Sequence, residues 1–164
     1  MDTPMRKSDS RIFVLFFWAA IMFAAACGTP FGPFAVDTPA QIEQKIFQLV
    51  NNHRRSIGVN ELAWNETIAG QARLHSQSMA AGTVPLGHDG FEGRVALIAE
   101  TIPWQSAAEI VALAATAADA VDGWIASLDH KPMLEGNFDW TGIGVARGKS
   151  ESSFYATEIL IKQR

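Results

Sequence analysis

The spacing of apolar residues changes period along this chain, and that change limits the folds open to it. Ile42, Ile46, Leu49 and Val50 recur at helical spacing, which predicts an amphipathic helix over residues 41–56 with Gly58 as its stop signal. Ile68, Ala72, His75 and Met79 form a second helical stripe, with Asn65 as its N-cap and "AAGTVPLG" closing it. Toward the C-terminus the period falls to two, and "TGIGVAR" and "SSFYATEILI" read as strands joined by the polar turn "GKSES". Between these pairs, "RVALIAE" (residues 94–100) reads as a short strand with Val95, Leu97 and Ala99 on one face, ended by Pro103. Ser106 and Glu109 form a Ser-x-x-Glu capping box that opens another helix. Thr116 and Asp119 repeat the signature and start a segment whose Val121, Trp124, Ile125 and Leu128 face inward. The expected order is helix, helix, strand, helix, strand, strand. An antiparallel sheet between helical layers buries all of these stripes at once, so the fold class is α+β.

A chain of 164 residues suits one domain, and a hydrophobic share of 48% argues against general disorder. The formal charge of −4 comes without any basic stripe interleaved with aromatics, which excludes nucleic acid as a partner. No Gly-x-Ser-x-Gly, His-Glu-x-x-His, phosphate loop or repeated Cys-x-x-Cys is present, so the common catalytic signatures give no lead.

The start of the chain reads as an address. Arg6, Lys7 and Arg11 precede an unbroken apolar run from Ile12 to Ala26 that ends in three small residues, the pattern of a signal peptide over residues 1–26. A spanning helix needs about 20 apolar residues, and this run is shorter. Cys27, the single cysteine, follows directly, and "AAACG" resembles a bacterial lipoprotein box with Cys27 as the lipidated first mature residue. Residues 27–40 are rich in Gly, Pro and Thr and read as a tether, leaving residues 41–164 as the folded domain. The expected location is outside the cytoplasm, as a membrane-anchored lipoprotein or as an extracellular or periplasmic protein.

Several polar residues have structural readings. His53, beside Arg54 and Arg55, reads as a solvated cap suited to a helix C-terminus. His75, on an apolar stripe, reads as a hydrogen-bonded core histidine. Glu109 and Asp119 read as caps. Arg94 is expected to pair with an acid of the "GHDGFEG" loop. Glu158 reads either as an edge charge or as a buried partner for an arginine. Trp64, Trp104, Trp124 and Trp140 are expected to pack the core and its rims. His130, by itself, reads as a helix-end residue whose cation suits the last turn's carbonyls.

In order along the chain, "LVNNHRRSIGVNELAWNETIAGQARLHSQSMA", "GHDG", "AET", "AVDGWIASLDH" and "TGIGVA" resemble the CAP superfamily, in a bacterial form. That group holds cysteine-rich secretory proteins, antigen 5 and pathogenesis-related protein 1. The resemblance covers residues 41–161 and implies a three-layer α-β-α sandwich with a central antiparallel sheet, in agreement with the order of elements. It also implies a surface cleft of two histidines and two acids that binds divalent cations in some members. By that resemblance, His88 and His130 match the histidines and Glu100 an acid, while Ser127 falls where other members carry the second acid.

What the resemblance implies is a ligand cleft of His88, Glu100, Ser127 and His130, with His88, His130 and Glu100 able to hold a divalent cation, zinc by the chemistry of two imidazoles and one carboxylate. Ser127 and His130 are three apart and within reach of each other on a helix end, but no third group orients them as a hydrolase would require. No catalytic residue is assigned. The leading function is a non-catalytic binding module for an envelope or extracellular lipid, polymer or protein. A metal-assisted hydrolase using the same cleft is the alternative.

Overall fold

In the computed structural model, the described residues are Met1, residues 36–150 and residues 152–164. The leader, Cys27 and most of the tether lie outside them. Residues 36–164 form one compact unit. The first helix, α1 (Pro39–Ser56), opens with a capping box in which Thr38 Oγ1 accepts from the Gln41 amide and Gln41 Oε1 accepts from the Thr38 amide. A two-residue strand, β1 (Ala63–Trp64), leads to α2 (Glu66–Ala81), where Asn65 Oδ1 caps the Thr67 and Ile68 amides as expected. Gly82, at φ 73°, closes α2 in the left-handed conformation that favours glycine.

Two expected elements change type. Residues expected as a strand fold as α3 (Phe91–Ala99), with Glu100 as C-cap. "RVALIA" is almost wholly apolar, so it carries no readable period. Packing decides it, through Val95 and Ile98, three apart and both buried. Ser106–Glu109 does not cap a helix: these residues belong to β2 (Trp104–Ala114), which pairs along its length with the last strand. A capping box is a local signature, and ten registered partners across a ladder override it.

The second capping box does form. Thr116 Oγ1 accepts from the Asp119 amide and Asp119 Oδ2 from the Thr116 amide, opening α4 (Ala117–Ala126). Val121 and Trp124 face inward, but Leu128 is 92% exposed, because α4 stops at Ala126 and Ser127 turns extended. A separate short helix, α5 (His130–Leu134), then begins. His130 is therefore the first residue of a helix, not the last of one.

The closing strands are β3 (Trp140–Arg147) and β4 (Phe154–Gln163). The sheet order is β1-β3-β4-β2, antiparallel except for the short parallel pair of β1 with β3, which the expected all-antiparallel sheet did not include. Alternate residues of β4 enter different cores. Phe154, Ala156 and Leu160 pack with Ile46, Val50, Trp124 and Leu134 of α1, α4 and α5, whereas Ile159 and Ile161 pack with Ile68, Ala72 and Ile98 of α2 and α3. The expected α-β-α layering is observed. Gly142 and Gly144 sit directly under the α2 backbone, which lets that helix approach β3 without side chains between them. Ser76 Oγ ties the contact by donating to the Gly144 carbonyl at 2.9 Å.

Candidate functional site

A carboxylate inside the sheet organises the surroundings of His88. Glu109 lies on the face of β2 that packs toward α2 and α3, and its side chain is only 1% exposed. Arg94 of α3 grips it with two bonds, Nε to Oε2 at 2.8 Å and Nη2 to Oε1 at 2.7 Å. This is the paired fork that a guanidinium makes with a carboxylate, and it neutralises a charge that burial would otherwise make costly. His88 Nδ1 lies 3.1 Å from the same Oε1, while the imidazole remains 48% exposed. With an ionised carboxylate as acceptor, Nδ1 carries the proton and the Nε2 lone pair is left outward.

The loop that carries His88 is held on both sides of it. His75 Nε2 donates to the Gly87 carbonyl at 2.7 Å, and Arg94 Nη1 donates to the Asp89 carbonyl at 2.7 Å. His75 is thus the hydrogen-bonded core histidine that its stripe implied, with its Nε2 3.9 Å from Glu109 Oε1. Gly90, at φ 79°, then turns the chain into α3, with Arg94 packed so closely that a Cβ there would lie 3.3 Å from its Nη1.

His130 begins α5, close enough to His88 for their charges to interact. Burial lowers its pKa below the usual histidine value, the charge of His88 adds to the effect, and Asp129 opposes it. The two imidazoles are therefore electrostatic neighbours, although they come from a loop and a helix far apart in sequence. Ser127 Oγ accepts from the His130 backbone amide at 3.2 Å, and the Ser127 carbonyl accepts from the Lys131 amide at 3.0 Å. Ser127 thus caps α5. Its bond to His130 is made by the backbone and not by the ring.

Glu100 makes none of the hydrogen bonds just described. It ends α3, exposed, and the acid bonded to His88 is Glu109 instead. The reading of Glu109 as a cap fails for the same reason that β2 is a strand. One signal was available: Glu109 is the only charged residue in "SAAEIVALA", and a lone acid inside such a run requires a buried cation. Arg94 does pair with an acid as expected, but with one on β2, outside its own loop. His53, expected to be solvated, lies 2.8 Å from Glu135 and is largely enclosed. Among the described residues, no group of three or more His, Cys, Asp or Glu side chains is arranged to hold a metal ion. The donor set that remains is two imidazoles, one of them oriented by a carboxylate behind it.

The family model for the cysteine-rich secretory proteins, CAP, matches residues 47–160. The chain belongs to that family. No curated protein matches it. Three solved structures resemble this CAP domain. A cysteine-rich secretory protein from Staphylococcus aureus superposes with a TM-score of 0.64 at 20% identity, covering 79% of this chain and 40% of its own. An extracellular protein containing an SCP domain from Bacillus anthracis gives 0.60 at 29% identity, covering 80% of this chain and 45% of its own. An outer surface protein from Borrelia burgdorferi gives 0.66 at 16% identity, covering 79% of this chain and 97% of its own. The chain thus spans less than half the length of the first two, and with the third it shares the fold. The CAP fold agrees with the mixed architecture of a four-stranded sheet and five helices that the described residues form.

Proposed function

We propose that this CAP domain is an exported, envelope-held binding module that presents the His88–Glu109–His130 cleft to an extracellular ligand without catalysing a reaction. The observation that carries the reading is the state of Glu109. Both of its oxygens are engaged by Arg94 and one also by His88, so Glu109 itself is held as a structural counter-ion and is not free to act as a general base. Ser127 is engaged as a cap, so it does not supply an activated nucleophile either. The solvent-facing chemistry is two imidazoles. Export is supported by the leader pattern at residues 1–26 and by relatives named as extracellular and outer surface proteins.

His88, Glu100 and His130 are not arranged as a three-ligand metal group among the described residues. A weaker site does fit: His88 Nε2 and His130 as ligands, with Glu109 orienting His88 from behind and water completing the shell. A bound divalent cation would supply a Lewis-acidic anchor for an anionic or carbonyl group of the ligand. Two imidazoles imply moderate affinity, and the lowered pKa of His130 keeps that ring neutral, and so able to ligate, to more acidic pH than an ordinary histidine. Titrating the mature chain with zinc in a calorimeter is expected to give one weak site, lost in both His88→Ala and His130→Ala. Heat unchanged by both substitutions would remove the site. Turnover on an ester or peptide panel, abolished by both substitutions, would establish the metal-assisted hydrolase in its place.

Anchoring by Cys27 is proposed on the "AAACG" box. The expected result is that Cys27→Ser releases the mature protein from the membrane fraction and removes the mass of the acyl chains. A variant still membrane-bound at unchanged mass rejects the lipid anchor.

A further inference from the structure

The last turn of α1 reaches across to α5. Arg54 is buried on the apolar stripe of α1, four residues after Val50 and eight after Ile46. Its Nη1 donates to the Leu134 carbonyl at 2.6 Å and the Gly136 carbonyl at 3.0 Å, and its Nε donates to the Asn60 carbonyl at 2.8 Å. Beside it, His53 Nε2 meets Glu135 Oε1 at 2.8 Å. Three of these four contacts fall on residues 134–136, at the end of the helix that begins with His130. A helix of five residues spans only about 7 Å, so a shift at its end is felt at its start.

Arg54 has a buried acid for a neighbour. Glu158, on the α1 side of β4, is fully enclosed. Its Oε1 accepts from Thr141 Oγ1 of β3 at 2.8 Å, while its Oε2 has no hydrogen-bond partner. Its neighbours across the sheet, Ile110 of β2 and Ile143 of β3, are apolar, and Arg54 of α1 is the charged group that acts on it. Burial pushes the carboxyl up to about 7, against the opposing effects of Thr141 and Arg54. While protonated, Glu158 leaves the guanidinium to the carbonyls of residues 134 and 136. Once ionised, it is a buried carboxylate with a bare oxygen, and the cation that acts on it is the one holding α5.

We propose that Arg54 is a positioning residue that sets where His130 stands in the cleft, and that the buried Glu158 carboxyl makes its hold on α5 depend on protonation. This rests on the reading of His130 as a cleft residue and names a regulation of that site. The folded chain holds the Glu158 proton more tightly than the unfolded chain does. The stability it contributes is therefore full below the ordinary carboxylate value of 4.5 and declines as pH climbs toward 7. The hold on α5 weakens as pH passes through about 7, where the folded carboxyl ionises.

The test is nitrogen-proton NMR of the full chain between pH 5 and 9, following the Arg54 Nε–H and the Gly136 and Lys131 amides. A transition centred near 7 is expected in the wild type and is expected to vanish in Glu158→Gln, whose side chain stays neutral. Because the imidazoles of His53 and His130 also lie at α5, the difference between the two proteins is the quantity read. Equal profiles in both overturn the proton dependence. Arg54→Lys, which cannot grip two carbonyls and Asn60 together, is expected to move the His130 ring resonances while leaving those of His88 in place. A His130 ring unmoved in folded Arg54→Lys overturns the positioning role; if that variant does not fold, Glu158→Gln decides alone, and His130 and Lys131 resonances equal to those of the wild type at pH 9 overturn it. No ligand enters these measurements, so they fail or succeed apart from the binding reading.

Discussion

Gly144→Ala is expected to abolish cooperative folding. An ideal Cβ at Gly144 falls inside the Ala72–Arg73 backbone of α2, and one at Gly142 falls inside the Ile68–Ala69 backbone. Ordinary overpacking costs about 1–3 kcal/mol because side chains can move aside. Here the obstacle is the main chain of a helix whose N-terminus is fixed by Asn65 and whose sheet-facing side is tied by the Ser76 bond to Gly144, so relief requires lifting all of α2 off the sheet. The cost should exceed about 4 kcal/mol, a large part of a typical domain stability of about 5–15 kcal/mol. Gly70→Ala is the control. It lies in the same helix with nothing within 4 Å of a new Cβ, and it should stabilise by up to about 1 kcal/mol. Thermal unfolding followed by circular dichroism compares the two. A Gly144→Ala protein that melts within a few degrees of wild type would show that α2 does not rest on β3 as described.

Glu109→Ala should destabilise the fold by about 3–5 kcal/mol, the usual penalty for removing one partner of a buried ion pair. The loss is more than one bond. Arg94, itself largely enclosed, keeps a charge without a counter-ion, and His88 loses the acceptor that fixes its Nδ1. Removing Arg94 as well should recover part of the loss, so the double variant is expected to be more stable than the sum of the two single changes implies. Urea unfolding of the four proteins measures this. Additive effects, or a Glu109→Ala cost under about 1 kcal/mol, would mean that the carboxylate is solvated and does not hold Arg94 and His88 in place. The outcome bears on function, because a Glu109 that holds structure together is unsuited to exchanging protons with a ligand.

What was readable in the candidate site followed the same division as the fold. His88 and His130 were named through family resemblance alone, and in the structure the charge of one acts on the other. Glu100 was named through the resemblance of "AET", whereas Glu109, the acid bonded to His88, reaches it only once β2 is paired with β4. The structural support of His130 was hidden in the same way. Nothing in "NNHRRS" announces that Arg54 will meet carbonyls 80 residues away, although its place eight residues after Ile46 put it on the buried stripe.

By itself the sequence determined the elements whose signals are local and strong. These are α1 and α2, with their 3.6-residue stripes and, for α2, its Asn65 cap, the Thr116–Asp119 box that starts α4, and the alternating strands β3 and β4. Tertiary structure alone decided that "RVALIA" is a helix, that Ser106 to Glu109 lies in a strand, and which acid stands beside His88. The physical reason is common to all three. An unbroken apolar run or a four-residue capping signature is compatible with more than one backbone, and the choice falls to whichever pairing buries the most surface while leaving Glu109 a cation and Arg54 its carbonyls.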